Sequence, residues 1–456
     1  MTSRFLLAHG VGGRTDLPLS LWQAGWSAAV ALVLSFAALG LLWHRPRLRN
    51  LSVGRPVVSW VASLYAAGTA MLRLVVGVLA AVVVTAGLFG VDDVAANFSP
   101  VAVYVAFWVA VPLLVVVVGP LWSSISPWEM VVRQVDGRKG GGRRGPLDSP
   151  TEISNWVPIW VQDGWLAVMP ISIFLWLELV YHDGARPRVL GWVALGYTVL
   201  VAGMTARWGA EAARRSEGFG VLFDLLARLS PVGRQLPSQD QITQGQTARL
   251  VLRVPLTGTA VDDLRPSEVT LLLVVLGSTA FDGVSRTRFW SDVSAGHVGW
   301  SATAVGTLGL LWVVGVVSVA WHLAARMGER LTGQPGFSAR FGHSLLPIVI
   351  GYHVAHYFSL LVLEGQLFSV RISDPYGQGW NLFGTADSPV NWTRVSPSTV
   401  GWVQLVAIVC GHLGGVFLAH DRSIETWRPA VALRSQYPLL VVMVVYTVFG
   451  LVLMTG

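Results

Sequence analysis

The chain has 456 residues, of which 53% are hydrophobic and only 12% are charged, and its formal net charge is +7. Because soluble domains carry roughly 25% charged residues, this composition excludes an ordinary soluble protein and indicates an integral membrane protein. The basic charge is almost entirely arginine in loops beside apolar segments, which is typical of membrane topology and excludes nucleic acid as an expected partner. The single cysteine, Cys410, excludes a disulfide framework, a cysteine zinc site and a thiolate cluster within the chain.

The amino terminus, MTSRFLLAHG, is similar to the end of a secretory leader. If translation starts upstream and a leader is cleaved after Ala8, His9 becomes the first residue and can chelate copper through its amine and its ring. If Met1 is the true start, His9 is internal and this copper site does not form.

Ten apolar segments predict an all-α fold, an integral membrane helical bundle that forms a single transmembrane domain over 1–456. They lie at about 22–43, 69–90, 101–122, 157–180, 189–209, 267–281, 300–322, 344–365, 399–419 and 436–455. The sixth segment is short against the ~20 residues that a spanning helix needs, and it reaches that length only if it extends upstream through Pro266.

Arginine is concentrated in every second connection, as the positive-inside rule requires of cytoplasmic loops. The basic connections are 44–68, 123–156, 210–266, 323–343 and 420–435. This alternation predicts about ten transmembrane helices with both termini extracytoplasmic. It also supports the short sixth segment, because its removal would invert every later loop.

Two connections are long enough to have structure of their own. The 210–266 segment is predicted to be a cytoplasmic loop, with an amphipathic helix at Arg214 to Arg234 that lies at the headgroup surface. The 366–398 segment is rich in glycine, proline, aspartate and aromatic residues, and we expect an ordered extracytoplasmic cap loop.

The eighth predicted span carries His353 and His356 near its middle. A helix advances ~100° per residue, so these two residues share one face. His412 lies in the ninth span, ~10 Å from the predicted cytoplasmic end, against ~13 Å for His353. Ionisable side chains at this depth are costly and mark function by default. The sequence therefore predicts a three-histidine site between two adjacent helices.

Imidazole is the commonest metal ligand and an axial ligand of haem. The three histidines could hold a copper or iron ion, or a haem b between the eighth and ninth spans with His412 and either His353 or His356 as axial ligands. Gly411 and the glycines that follow His412 give room for a flat cofactor or permit close approach of the helices. Two alternatives stay open, a proton relay and buried histidines that only hydrogen-bond to neighbouring helices.

A second polar set is predicted at the extracytoplasmic side, where Glu364, Asp282, Asp374 and Arg286 follow span ends or lie in loops. These residues could form an outer entrance above the histidines. The alternative is that they form the salt bridges that ordered loops commonly contain.

Several strings resemble an uncharacterised bacterial family of polytopic membrane proteins. They are AHGVGGRTDLPL at 8–19, LGSTAFDG at 276–283, YHVAHY at 352–357, SDPYGQGWNLFG at 373–384 and GHLGGVFLAHDR at 411–422. The resemblance covers nearly the whole chain and implies a multi-pass protein of the bacterial cytoplasmic (inner) membrane. It implies no established activity.

The leading functional hypothesis is a membrane protein that binds or handles a metal ion or haem through its histidine cluster. The alternatives are a small-solute permease with a histidine proton relay, and a non-catalytic membrane subunit or assembly factor. No Walker A, GxSxG, HExxH or dinucleotide-binding motif is present, which favours a protein that is not an enzyme. The expected partners are the lipid bilayer and, in the subunit alternative, other membrane subunits.

Overall fold

The protein is described from a computed structural model that covers residues 21–138, 153, 156–235 and 249–455. The predicted copper ligand His9 lies outside the described residues. In chain order the α-helices are α1 (Leu21–Leu42), α2 (Leu48–Ser52), α3 (Ser59–Phe89), α4 (Val111–Val118), α5 (Trp122–Ile125), α6 (Pro127–Arg138), α7 (Ile159–Gln162), α8 (Val168–Leu179), α9 (Pro187–Trp208), α10 (Ala210–Ser216), α11 (Gly218–Ala227), α12 (Pro266–Ser285), α13 (Arg288–Ser294), α14 (Trp300–Thr332), α15 (Phe337–Phe341), α16 (Leu345–Leu363), α17 (Gln366–Arg371), α18 (Pro397–Thr426), α19 (Pro429–Ser435) and α20 (Tyr437–Thr455).

Within the described residues, nine helical segments are long and apolar enough to cross a membrane. They are Gly25–Leu42, Ser59–Phe89, Val101–Val118, Pro187–Trp208, Pro266–Ser285, Trp300–Thr332, Phe337–Leu363, Pro397–Thr426 and Pro429–Leu453. Many large apolar side chains on these helices point away from the protein, including Met71, Leu74 and Leu308, which are 70–72% exposed. Exposed apolar surface of this extent is typical of helices that contact lipid. The predicted all-helical bundle is confirmed.

The fourth and sixth predicted segments differ most from their expected lengths. The fourth, 157–180, is interrupted after α7, because Gly164 adopts a left-handed conformation with φ of 78° and a 3-10 turn, Trp165–Ala167, leads into α8. Its apolar helix is therefore only Trp165–Leu179, shorter than the nine spanning segments. The helix of the sixth segment, α12, has 20 residues and is longer than the apolar segment that predicted it. It begins at Pro266, and proline is favoured in the first turn of a helix.

A small antiparallel sheet lies at one end of the bundle. Its strands are β1 (Arg55–Pro56), β2 (Val232–Gln235) and β3 (Arg249–Leu252), in the order β1-β3-β2. We call this the sheet end and call the opposite end, which carries residues 366–398, the loop end. At the loop end, the hydroxyl group of Tyr376 hydrogen-bonds to Thr85 at 2.8 Å and its carbonyl oxygen accepts from Val91 N at 2.9 Å, so the loop packs over the end of α3.

The amphipathic helix expected in 210–266 is two short helices, α10 and α11, that meet at Glu217. Glu217 accepts hydrogen bonds from the backbone N–H groups of Phe219 and Gly220 and so caps α11. The apolar side chains of α11, such as Phe223, are buried in the protein core. The helix differs from the surface helix that we predicted, because its apolar face packs on α4 and α8 and is covered by protein rather than by headgroups.

Helix α16 lies in the middle of the bundle and packs against α12, α18 and the π-helix Val101–Ala110, which precedes α4. Its contact with α18 is made through glycines. A Cβ atom added to Gly351 would lie 2.6 Å from the Ala407 carbonyl oxygen, and one added to Gly411 would lie 2.7 Å from that of Pro347. Glycines in these positions let the two backbones touch.

Asp421 joins α18 to the turn between α1 and α2. Its buried carboxylate accepts hydrogen bonds from Trp43 Nε1 at 2.8 Å and from the backbone N–H groups of Arg47 and Leu48 at 2.9 and 3.2 Å. The neighbouring His420 also contacts this turn, since its Nε2 donates to the Trp43 carbonyl oxygen at 3.2 Å. The pair therefore holds the sheet end of the bundle together.

We expect Asp421→Ala to lower the free energy of unfolding by about 3 kcal/mol, because three donors lose a buried, charged acceptor. The midpoint of thermal unfolding of the detergent-solubilised protein, followed by tryptophan fluorescence, measures this change. Asp262→Ala is the matched control, since Asp262 is exposed, and its effect should stay within about 0.5 kcal/mol. Equal unfolding midpoints for the two variants would mean that Asp421 does not stabilise the contact between α18 and the turn that joins α1 to α2.

Candidate functional site

His353 and His356 occupy neighbouring positions on α16 but face different partners. Nε2 of His353 donates to the carbonyl oxygen of Val109 at 3.2 Å. Nε2 of His356 contacts a carboxylate oxygen of Asp282 on α12. The ring of Tyr357 packs against both imidazoles, with ring centres 4.9 and 4.7 Å away. Residues at i and i+3 are offset by ~60° around a helix, and on a helix surrounded by neighbours this offset is enough to direct them to different elements.

His412 contacts a different set of residues from this pair. Its Nδ1 donates to the carbonyl oxygen of Ile408 in its own helix at 2.9 Å, and its ring lies against Tyr352 and Tyr446. Among the described residues, no group of three or more His, Cys, Asp or Glu side chains is arranged to hold a metal ion. The structure thus does not bring the three predicted histidines to one point.

The space that a haem would need between α16 and α18 is filled by the helices themselves. Gly411 contacts the backbone of Pro347 and Gly351, and Gly415 lies as close to the Ser344 carbonyl oxygen. The sequence left two roles open for these glycines, room for a flat cofactor or close approach of the helices. In the structure they permit close approach of α16 and α18. A haem between these two helices does not fit this packing.

The carboxylate of Asp282 lies between His356 and Arg286. Nη2 of Arg286 donates to Oδ2 of Asp282 at 3.3 Å, and the Ser285 hydroxyl group donates to the Asp282 carbonyl oxygen at 2.7 Å. His356 is 1% exposed and Asp282 2% exposed, whereas the Arg286 side chain is 27% exposed. The three residues therefore form a chain from the buried centre towards the loop end of α12.

A second buried carboxylate, Glu178, lies beside this chain at the end of α8. The hydroxyl group of Tyr357 donates to Oε1 of Glu178 at 2.9 Å and accepts from Nε1 of Trp108 at 3.0 Å. Glu178 is 3% exposed and close enough to Asp282 for their charges to interact. Since Tyr357 follows His356 directly, one turn of α16 carries partners for both carboxylates.

The π-helix supplies the carbonyl oxygen that His353 uses. Its ten residues, Val101–Ala110, are followed by α4, in which Pro112 has no N–H group to donate to the preceding turn. π-Helical turns are rare and occur frequently at functional sites, where backbone carbonyls become accessible to side chains. Here the irregular turn places Trp108 and Val109 against α16 at the level of the carboxylates.

Several buried polar atoms around the two carboxylates have no hydrogen-bond partner within the described residues. They include Nδ1 of His356, Oε2 of Glu178, the hydroxyl group of Ser278 and the side-chain amide of Gln404. Ser278 lies one turn before Asp282 on α12. Gln404 is placed near the His353–His356 turn by the antiparallel Gly351–Gly411 contact. Unpaired buried polar groups are expensive, and functional sites are where they are retained.

The predicted outer entrance residues are divided between two roles. Asp282 is part of the buried centre rather than an entrance. Asp374 accepts from the N–H groups of Gln378 and Gly379 at 2.9 and 2.7 Å, so it stabilises the turn of its own loop.

Glu364 follows the last residue of α16 at the loop end and is 7% exposed. Its Oε2 has no hydrogen-bond partner within the described residues. Burial raises the pKa of the Glu364 carboxyl to about 8.

Charge balance determines what this site can do. Ionised Asp282 and Glu178 carry two negative charges, which Arg286 and a protonated His356 would neutralise. If His356 is neutral, the four groups are balanced only when one carboxyl holds the proton. A low-dielectric interior penalises net charge, so the cluster favours states that hold one exchangeable proton.

The sequence did not indicate the parts played by Trp108, Ser278 and Gln404, although the acidic residues near the ends of two apolar helices did suggest a polar site.

Comparisons with protein-family models, with curated proteins and with solved structures find no match for this chain. The chemistry of the site therefore rests on the geometry of its own residues.

The stability of the protein should depend on pH through Glu364. Its pKa of about 8 in the folded protein exceeds its ordinary value of 4.5, so the folded state binds more protons between these values. The free energy of unfolding should therefore fall as the pH rises from about 4.5 to about 8 and stay level above that. Glu364→Gln should be about 5 kcal/mol more stable than wild type at pH 9 and similar to it at pH 5.

Thermal unfolding midpoints across this pH range test the prediction. Asp387→Asn, which changes an exposed acidic residue in the 366–398 loop, should follow the wild-type profile. A Glu364→Gln profile that runs parallel to wild type at every pH would mean that Glu364 does not change its protonation on folding.

Proposed function

We propose that the protein is a multi-pass permease that couples the movement of a small solute to one proton exchanged among His356, Asp282 and Glu178. The observation that supports this most strongly is the buried His356–Asp282 contact beside a second carboxylate, with one arginine to balance two acidic groups. Ionisable groups at membrane depth that pair with one another are typical of proton relays in transporters. Of the functions that the sequence left open, this arrangement favours the proton relay.

The proposed proton path runs along α12 and α16. Arg286 marks its loop end, Asp282 and His356 its middle, and Ser278, one turn further along α12, its continuation towards the sheet end. The unpaired hydroxyl and imidazole nitrogen atoms can accept and pass on a proton. Glu364, which exchanges its proton near neutral pH, is a second group at the loop end.

The orientation follows from the distribution of arginine. We infer that the apolar helix Trp165–Leu179 also crosses the membrane, which gives about ten transmembrane helices. An even number places both termini on one side, and the positive-inside rule makes that side extracytoplasmic. The loop end then faces outwards from a bacterial cytoplasmic membrane and the sheet end faces the cytoplasm.

We expect the purified protein in liposomes, with a mixture of small solutes in the external buffer, to carry protons when a potassium diffusion potential is imposed, as reported by a pH-sensitive dye inside. Asp282→Asn and His356→Gln should each lower this flux by about a hundredfold, because each removes a proton-accepting group from the path. His182→Gln is the control, since His182 lies at the loop end, bonded to Thr303 and partly exposed, and it should keep the wild-type flux.

Two results would contradict the proposal. One is a wild-type flux no greater than that of empty liposomes. The other is an equal flux from wild type, Asp282→Asn and His356→Gln. Either result would favour a non-catalytic membrane subunit in which the cluster only holds helices together.

A metal ion is a second candidate, favoured by the orientation of two imidazoles. One ring nitrogen of His412 bonds to a carbonyl oxygen, and one ring nitrogen of His356 contacts a carboxylate oxygen. The other ring nitrogen of each is buried and has no hydrogen-bond partner among the described residues. Histidines that bind metals commonly have their second nitrogen bonded in this way.

Metal analysis and the absorption spectrum of the purified protein test this second candidate. It predicts copper or iron in the purified wild-type protein, with the metal content lowered separately by His356→Ala and by His412→Ala, since the two imidazoles do not meet at one point. A metal-free protein would exclude it. A haem Soret band would contradict the close α16–α18 packing.

A further inference from the structure

A cavity of about 800 Å³ lies on the other side of the π-helix, between α3, α6, α8 and α9. Its walls are almost wholly apolar, from Val76 to Val83 on α3, Ile173 and Leu177 on α8, and Val193 to Leu200 on α9. It is open on one side, and the helices beside the opening are long and apolar enough to cross a membrane. Lipid tails are therefore the natural source of an occupant.

The cavity ends at a cluster of arginines. Gly77 and Met130, which contact each other, line its sheet end. Arg73 lies one turn before Gly77 on α3, and Arg133 lies three residues after Met130 on α6. The charges of the two arginines act on each other, so the cationic groups lie together at the end of an apolar cavity.

This cluster has more positive than negative charge. Arg133 and Arg214 both bind Glu129, at 2.9 Å. Glu211, which pairs with Arg215 at 3.2 Å, and Asp136 act on Arg214 from further away. Arg73 donates through Nε to the Ser124 carbonyl oxygen at 2.7 Å, and no carboxylate of the described chain lies within ion-pair distance of it. Its remaining guanidinium N–H groups can therefore bind a phosphate, which arginine recognises with two parallel hydrogen bonds.

We propose that this cavity binds an anionic phospholipid, with its acyl chains between α3 and α9 and its phosphate group at Arg73 and Arg133. The apolar volume suits the chains, the lateral opening suits entry from the bilayer, and the arginines suit the headgroup. Basic pockets between transmembrane helices are a known way to recognise anionic headgroups. The site is separate from the buried carboxylates and does not depend on the proposed permease function.

Native mass spectrometry of the full-length, delipidated protein tests the proposal. The protein is titrated with phosphatidylglycerol, with phosphatidylcholine of the same acyl chains, and with inorganic phosphate. We expect a one-to-one adduct with phosphatidylglycerol, several-fold weaker binding of phosphatidylcholine, and none of phosphate alone. Arg73→Gln should weaken phosphatidylglycerol binding by about fivefold, the effect of one basic residue at a membrane surface. Arg133→Gln should act in the same way and is the second variant if Arg73→Gln does not fold.

Two matched pairs of variants separate headgroup from chain recognition. Arg288→Gln changes an exposed arginine elsewhere and should leave binding unchanged. Gly196→Phe should abolish the adduct, because Gly196 lines the cavity and an added side chain meets nothing within 4 Å. Gly203→Phe is its control, since Gly203 has equal space on the same helix but does not line the cavity.

The proposal fails if wild type binds the two lipids equally, if no phosphatidylglycerol adduct forms, or if Gly196→Phe binds as well as Gly203→Phe. The first result would mean that the arginines do not select the headgroup. The last would place the lipid on another surface of the protein.

Discussion

Helix α16 can lie in the centre of the bundle because glycine contacts with α18 bring two backbones together. An added Cβ atom at Gly351 or Gly411 would overlap the facing helix. With α18 so close on one side, and α12 and the π-helix on others, α16 has polar side chains facing several neighbours. His353, His356 and Tyr357 each meet a different element for this reason. The rest of the candidate site depends on the position of this one helix.

The burial of α16 decides which charge states are stable. Carboxylates at this depth must be paired or protonated, because an unpaired charge in an apolar interior costs several kcal/mol. The structure offers Glu178 a tyrosine hydroxyl group and offers Asp282 an arginine and an imidazole. Hydrogen bonds satisfy Glu178 only in part, since one carboxylate oxygen has no partner among the described residues. An incompletely satisfied group near a titratable imidazole favours proton exchange over a purely structural role.

The sequence predicted the elements better than their contacts. Apolar segments of ~20 residues identify spanning helices because lipid leaves few other solutions for the backbone. The same pattern failed at 157–180, where a left-handed glycine interrupts the helix, and for α11, whose apolar face is buried by protein. The sheet was not predicted, since Arg55–Pro56 pairs with Val251–Leu252 and such short, distant strands leave no period in the sequence. The histidines share a stripe on a helical wheel, but a wheel does not show which neighbour each side chain meets.

The bond between Asp282 and Arg286 connects the protonation of the buried cluster to the loop end of α12. Arg286 is partly exposed, Asp282 is buried, and the 3.3 Å bond between them lies where the polar chain reaches the surface. Arginine stays charged at any ordinary pH, so the strength of this bond depends on the carboxylate alone. When Asp282 accepts the proton that His356 releases, its attraction to Arg286 weakens and the cluster keeps its charge. The group that receives the proton is then also the partner of Arg286, so in the proposed permease proton transfer from His356 would weaken a bond within α12 at its loop end.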